Sequence, residues 1–150
     1  MTIRIEDLSR NLDINQVPVV AIVHLLEQLS PDAARPSATD ILAIAWRGCV
    51  VVARESEGSS KGAILGTASL IIYRKMSGQV GVIEDVVVDR DHRGKGIGRR
   101  MMEYLLARAK TEHLKQLQLT CRPERIEANK LYQSLGFEKV ETNIYRLKLA

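Results

Sequence analysis

At 150 residues the chain is long enough for one domain with its own core, expected to span residues 1–150. A content of 45% hydrophobic and 27% charged residues excludes a disordered or fibrous chain. A net charge of +4, with no basic run interleaved with aromatics, gives no nucleic-acid footprint, and no apolar run approaches the ~20 residues that cross a bilayer.

The opening MTIRIEDLSRNLD is charged and unlike a secretory signal, so a cytoplasmic protein is expected. Ile3 to Glu6 alternates as a short strand. Val19, Val20, Val23, Leu26 and Leu29 recur at helical spacing, predicting a helix over 17–29. Ser30-Pro31 stops it, and residues 32–37 read as a loop. Thr39-Asp40 suits the cap of a short helix over 41–46. Strands are predicted over 49–55 and 63–76, joined as a hairpin through the turn 56–62, and a third strand over 79–89. A long helix over 96–112 carries Ile97, Met101, Met102, Leu105, Leu106 and Ala109 on one face. A strand over 117–121 follows, then a helix within 123–135 ending at Gly136, a position suited to a left-handed cap. The alternating segments 137–142 and 144–149 predict two closing strands. The order is β-α-α-β-β-β-α-β-α-β-β. It describes an α/β (α+β) fold with a mixed, mostly antiparallel sheet flanked by helices. The strand–helix–strand unit over 80–121 is expected to be a parallel crossover.

Two segments carry chemistry. In IEDVVVDRDHRGKGIGR, Val86, Val87 and Val88 favour a strand. Arg93, Gly94, Lys95, Gly96, Ile97, Gly98 and Arg99 then lead into a helix. A glycine-rich strand-to-helix loop aims backbone N–H groups and the positive helix end at one spot, which suits phosphate. The spacing is neither G-x-G-x-x-G, since Arg99 stands in the third glycine position, nor a P-loop, since Gly96 follows Lys95. It is R-x-x-G-x-G, which resembles the diphosphate-binding loop of the GNAT superfamily of N-acetyltransferases. The second segment, Ala128 to Phe137, resembles that family's A-x-x-L-Y-x-x-x-G-F signature. The two occur in the family's order. The likeness is specific over residues 80–138 and only topological before residue 60.

The resemblance implies an acetyl-CoA-dependent N-acetyltransferase that acts by direct transfer to a primary amine. It implies that Arg93 to Arg99 hold the diphosphate of acetyl-CoA. Val86, Val87 and Val88 would meet the pantetheine arm, and a strand N–H would polarise the thioester carbonyl. Tyr132 matches the family's thiolate acid. Many family members carry Asn where this chain has Arg125, and Asn129, one turn later, is the substitute cofactor contact. Glu84 is the candidate base, reaching the amine through a water, and Asp85 the candidate acceptor-binding residue. Polyamine and glucosamine-phosphate acetyltransferases carry the same Glu-Asp pair. The alternative is that the pair only binds the acceptor ammonium or pairs with a basic side chain. On regular strand geometry Glu84, Val86 and Val88 share a face and Asp85 lies on the other, unless a bulge intervenes.

An acidic pair favours a small cationic amine or an amino sugar as acceptor. A protein amine, or a non-catalytic acyl-CoA-sensing module, is the alternative. The segment 32–45 and Asn143 to Arg146 are expected to shape the acceptor pocket. Cys49 and Cys121 have no CxxC partner, and His24, His92 and His113 have no ligand spacing, so no metal is expected. A covalent step through Cys121 is conceivable, but the family's direct transfer makes a structural cysteine the stronger reading. No nucleic-acid or membrane partner is expected, and a homodimer is.

Overall fold

The computed structural model describes all residues, Met1–Ala150, in two compact units, Met1–Leu119 and Thr120–Ala150. The first unit holds β1 (Ile3–Asp7), α1 (Val19–Leu29), α2 (Ala38–Arg47), β2 (Gly48–Glu55), β3 (Ile64–Lys75), β4 (Gly78–Val88), α3 (Ile97–Thr111) and β5 (Leu117–Gln118). The second holds α4 (Ile126–Ser134). The sheet is mixed and mostly antiparallel, as expected, with strand order β1-β2-β3-β4-β5. The first three pairings are antiparallel. β4 and β5 run parallel, with Gly81 opposite Leu117 and Val82 opposite Gln118, so α3 is the crossover helix.

β2 shows why the sheet is the core. Its first six residues are all buried, which a strand reaches only when both faces are covered. Val50 and Val52 pack with Ile22 of α1 and with Ile41 and Ala45 of α2. Cys49, Val51 and Ala53 point the other way by strand alternation, toward the face that α3 covers. On α3, Ile97, Met101, Met102, Leu105 and Ala109 are buried, the stripe its spacing predicts. On α1 the stripe is rotated from the expected one: Ile22 and Leu25 are buried and Val20 faces solvent. α2 starts one residue after Ser37, whose side chain accepts from the Asp40 N–H while Asp40 reaches back to the Ser37 N–H. This capping box, rather than Thr39-Asp40, sets the helix start.

The closing strands over 137–142 and 144–149 do not form. The alternation of Tyr145, Leu147 and Leu149 is a side-chain pattern, whereas a strand exists only with a hydrogen-bonded neighbour. Here these apolar residues, with Val140 and Ile144, are exposed. The strand expected over 117–121 is likewise trimmed to Leu117–Gln118.

Candidate active site

The hinge of the site is a bulge in β4. Thr67 pairs with Val87 and Ser69 with Glu84, so Asp85 and Val86 together oppose Ala68. One extra residue sits in β4, and the side-chain alternation breaks there. Asp85 takes the strain, with φ of 54° in the left-handed region that few side chains other than Asn and Asp enter readily. Ser69 Oγ donates to the Glu84 carbonyl at 3.1 Å and Thr67 Oγ1 to the Val51 carbonyl at 2.9 Å, pinning β3 on both sides of the bulge. The single shared face expected for Glu84, Val86 and Val88 is therefore interrupted. Val87 is core, while Val86 and Val88 are half-buried.

The bulge turns Asp85 into a cavity of about 570 Å³, a volume suited to a small molecule. Its walls are Ile22 and Leu26 of α1, the segment Ala33 to Pro36, Ile41 and Ile44 of α2, and Thr67 to Ser69 of β3. Three charged side chains line it: Arg35, Asp40 and Asp85. Asp40 is committed to the capping box, and Arg35 pairs with Glu27 at 2.7 Å. Asp85 has no hydrogen bond or ion pair. Desolvation by the surrounding walls pushes its carboxyl above the usual range. Glu84 is raised as well, first by desolvation and then by the charge of Asp85. Neither carboxylate pairs with a basic side chain. Both carboxylates are exposed to solvent; Asp85 lines the mouth of the cavity and Glu84 is not in its wall.

The same strand delivers the glycine loop. β4 ends at Val88, a 3₁₀ turn covers Arg90–His92, and α3 starts at Ile97. Arg93 Nε donates to the Val88 carbonyl at 3.2 Å, folding the loop back on the strand end. Gly94 and Gly96 have φ of 75° and 79°, and a Cβ on either meets nothing within 4 Å. The space above the loop is open. Gly96 is the N-cap of α3 and no side chain caps that end, so the helix's first N–H groups face outward. Ile97 is buried and anchors the loop to the core, while Arg99, near Glu103 at 3.6 Å, and Lys95 keep positive charge at the rim. An open, uncapped helix end with glycine backbone and basic flanks fits a diphosphate.

In the second unit, Tyr132 is the buried residue of α4 and packs edge-on against Phe137, ring centroids 6.1 Å apart. Desolvation raises its hydroxyl pKa, and Arg125 pulls the other way. It is a protonated donor at neutral pH. Gly136, with φ of 95°, closes the helix as predicted, and the Phe137 N–H reaches the Tyr132 carbonyl at 3.0 Å. Asn129 spends its amide N–H groups on the carbonyls of Arg122 and Arg125, both at 2.9 Å, so only its oxygen remains for a ligand. Cys121 is partly exposed in this unit.

Of the predicted pocket segments, 33–36 and residues 40, 41 and 44 line the cavity and Asn143 to Arg146 do not. Ile22, Leu26 and Ser69 were not foreseen. An apolar helix stripe reads as core, and nothing in sequence tells a cavity wall from a packed face.

The family model described as the acetyltransferase (GNAT) family matches residues 20–137. Glucosamine 6-phosphate N-acetyltransferase 1 of Oryza sativa subsp. japonica is 32% identical over 129 residues, covering 80% of this chain and 73% of the relative. The crystal structure of glucosamine-6-phosphate N-acetyltransferase from Arabidopsis thaliana superposes with a TM-score of 0.77 at 25% identity, over 98% of this chain and 99% of the other. A Trypanosoma brucei acetyltransferase structure gives 0.75 at 26% identity, over 99% and 100%.

Proposed function

The chain belongs to the GNAT acetyltransferase family and is an N-acetyltransferase; we propose that it moves the acetyl group of acetyl-CoA onto the primary amine of a small amino sugar by direct attack in a ternary complex. The observation that carries this reading is Asp85: an unpaired carboxylate on a bulge, in a small-molecule cavity, on the strand that leads into the phosphate loop. A cationic amine supplies the partner that Asp85 lacks. The names of the rice and Arabidopsis relatives point to an amino sugar phosphate as the acceptor.

Acetyl-CoA brings an activated acyl group as a thioester. The chain's own residues do the rest. Gly94 to Gly98 hold the diphosphate with backbone N–H groups, and Lys95 and Arg99 add charge. Val86, Val87 and Val88 hold the pantetheine arm, and an N–H of this strand polarises the carbonyl. Asp85 seats the ammonium. Glu84, raised by desolvation and by Asp85, takes the amine proton through a water. Tyr132 gives its proton to the departing sulfur. Asn129 offers only its oxygen to the cofactor.

Orienting two substrates in one site supplies much of the rate enhancement. The homodimer and the cytoplasmic setting expected from sequence belong to this reading too.

The test is a thiol-release assay with acetyl-CoA and four acceptors: glucosamine 6-phosphate, spermidine, an aminoglycoside and a peptide N-terminus. Turnover is expected to be highest with the amino sugar phosphate. Release of CoA with the peptide alone, or with none of the four, overturns the reading.

A further inference from the structure

α1 does more than wall the cavity. Ile22 and Leu26 face it, and Gln28, two residues past Leu26 and about 200° further round the helix, points elsewhere. Its Oε1 accepts from the Arg90 backbone N–H at 2.9 Å. That bond identifies the amide ends, because a backbone N–H only donates. The Gln28 amide nitrogen is therefore the donor to Asp89 Oδ1 at 3.1 Å and to His24 Nε2 at 3.2 Å. The second oxygen of Asp89 meets His92 Nδ1 at 2.9 Å, and the Asp89 N–H donates to the Leu65 carbonyl at 2.8 Å. Asp89 and Arg90 are the root of the phosphate loop, five and four residues before Gly94. The hydrogen bonds from Gln28 and His92 outweigh desolvation and hold the Asp89 carboxyl below its usual range. This buttress takes no part in the chemistry described above.

We infer that Gln28 is a positioning residue for cofactor binding: it clamps the root of the phosphate loop to the helix that walls the acceptor cavity. The inference rests on the reading of the glycine loop as the CoA cradle. A loop with two left-handed glycines, Gly94 and Gly96, just before α3 loses much conformational entropy when a ligand orders it. Fixing its root beforehand lowers that cost.

Calorimetric titration of CoA tests this without turnover. Gln28→Met keeps the length and volume of the side chain and removes every hydrogen bond. It is expected to weaken CoA by ~5- to 50-fold, the range for losing one or two hydrogen bonds that order the site. KM for acetyl-CoA is expected to rise while kcat at saturation stays within about threefold, since only ordering of the loop is lost. A residue that merely stabilises the fold lowers Tm and leaves CoA affinity unchanged. A second route avoids α1. Arg90→Pro deletes the N–H that Gln28 accepts, at a position preceded by extended backbone at Asp89, with ψ of 131°. Arg90→Ala is its control for the lost side chain. Arg90→Pro is expected to bind CoA more weakly than Arg90→Ala, and Gln28→Met/Arg90→Pro to be no weaker than the worse single variant. If wild type binds CoA and either folded Gln28→Met or Arg90→Pro against Arg90→Ala shows unchanged affinity, the inference is overturned and the function stands. If wild type itself does not bind CoA, both fall.

Discussion

At the scale of single residues, the proposed function gives the two carboxylates of β4 different roles by position. Asp85 lines the cavity and Glu84 does not, so Asp85→Asn is expected mainly to raise the acceptor KM and Glu84→Gln mainly to lower kcat. Steady-state kinetics on both variants checks this. A large kcat loss in Asp85→Asn with a silent Glu84→Gln shows that the bulge has exchanged the roles. Removing the Asp85 charge takes away one cause of the raised Glu84 pKa. The acid limb of kcat/KM is therefore expected to move to lower pH in Asp85→Asn. Stability follows the opposite logic. Asp85 titrates higher folded than unfolded, so its contribution is present below the ordinary Asp pKa of ~3.9 and is lost as pH rises through the folded value. Asp85→Asn, which also tolerates the left-handed backbone, is expected to melt at or above wild type at pH 7, with the difference closing in acid. A lower Tm at pH 7 contradicts the desolvation argument. Tyr132→Phe keeps the packing on Phe137 and removes only the proton. It is expected to retain CoA affinity and lose ~10²- to 10⁴-fold in kcat. Wild-type kcat in that variant makes Tyr132 a packing residue.

Among the elements, the loop between β4 and α3 is where, on the proposed function, local backbone conformation sets CoA binding. Gly96 sits at φ of 79° with nothing near a Cβ, so a side chain there clashes with no protein atom. Gly96→Val costs backbone strain, about 1–2 kcal/mol for a non-glycine residue in the left-handed region. It also plants a branched side chain over the open helix end. CoA affinity is expected to fall about tenfold or more, with the fold retained by the buried Ile97 and Met101 behind the loop. Gly96→Ala should fall between the two. Unchanged CoA affinity in Gly96→Val, measured by calorimetry, places the diphosphate elsewhere. At the other end of α3 the helix is tied to β1 by Asp7, whose carboxylate accepts from Tyr104 Oη at 3.0 Å and from Arg108 at 3.3 Å. The loop thus extends from a helix fixed at both ends.

On the scale of the whole molecule, order is unevenly distributed. β2 and β3 are paired on both edges and buried over residues 48–53 and 65–70, whereas residues 138–150 have no backbone hydrogen bond and an exposed apolar row. Hydrogen exchange of the dilute protein is expected to show amides of 138–150 exchanging at nearly free rates and those of β2 and β3 exchanging slowest. Slow exchange in 138–150 means that a partner strand covers it, and repeating the measurement across protein concentration, with sedimentation, reports whether that partner is a second copy.

Periodicity and turn chemistry were enough to read most of the sheet and the helices, because those signals are local: three valines in a row, a helical stripe on α3, a left-handed glycine after α4. The glycine loop between β4 and α3 was legible for the same reason, since Arg93 to Gly98 is one continuous segment. Three things only the tertiary structure decided. The bulge at Asp85 depends on the register of β4 against β3, and two strands can slide by one residue without any change in either sequence. The cavity wall of Ile22 and Leu26 depends on what α1 faces, and an apolar stripe looks the same against a core or a void. The fate of 137–149 depends on whether a neighbouring strand is present to complete the ladder, which no alternation of side chains supplies.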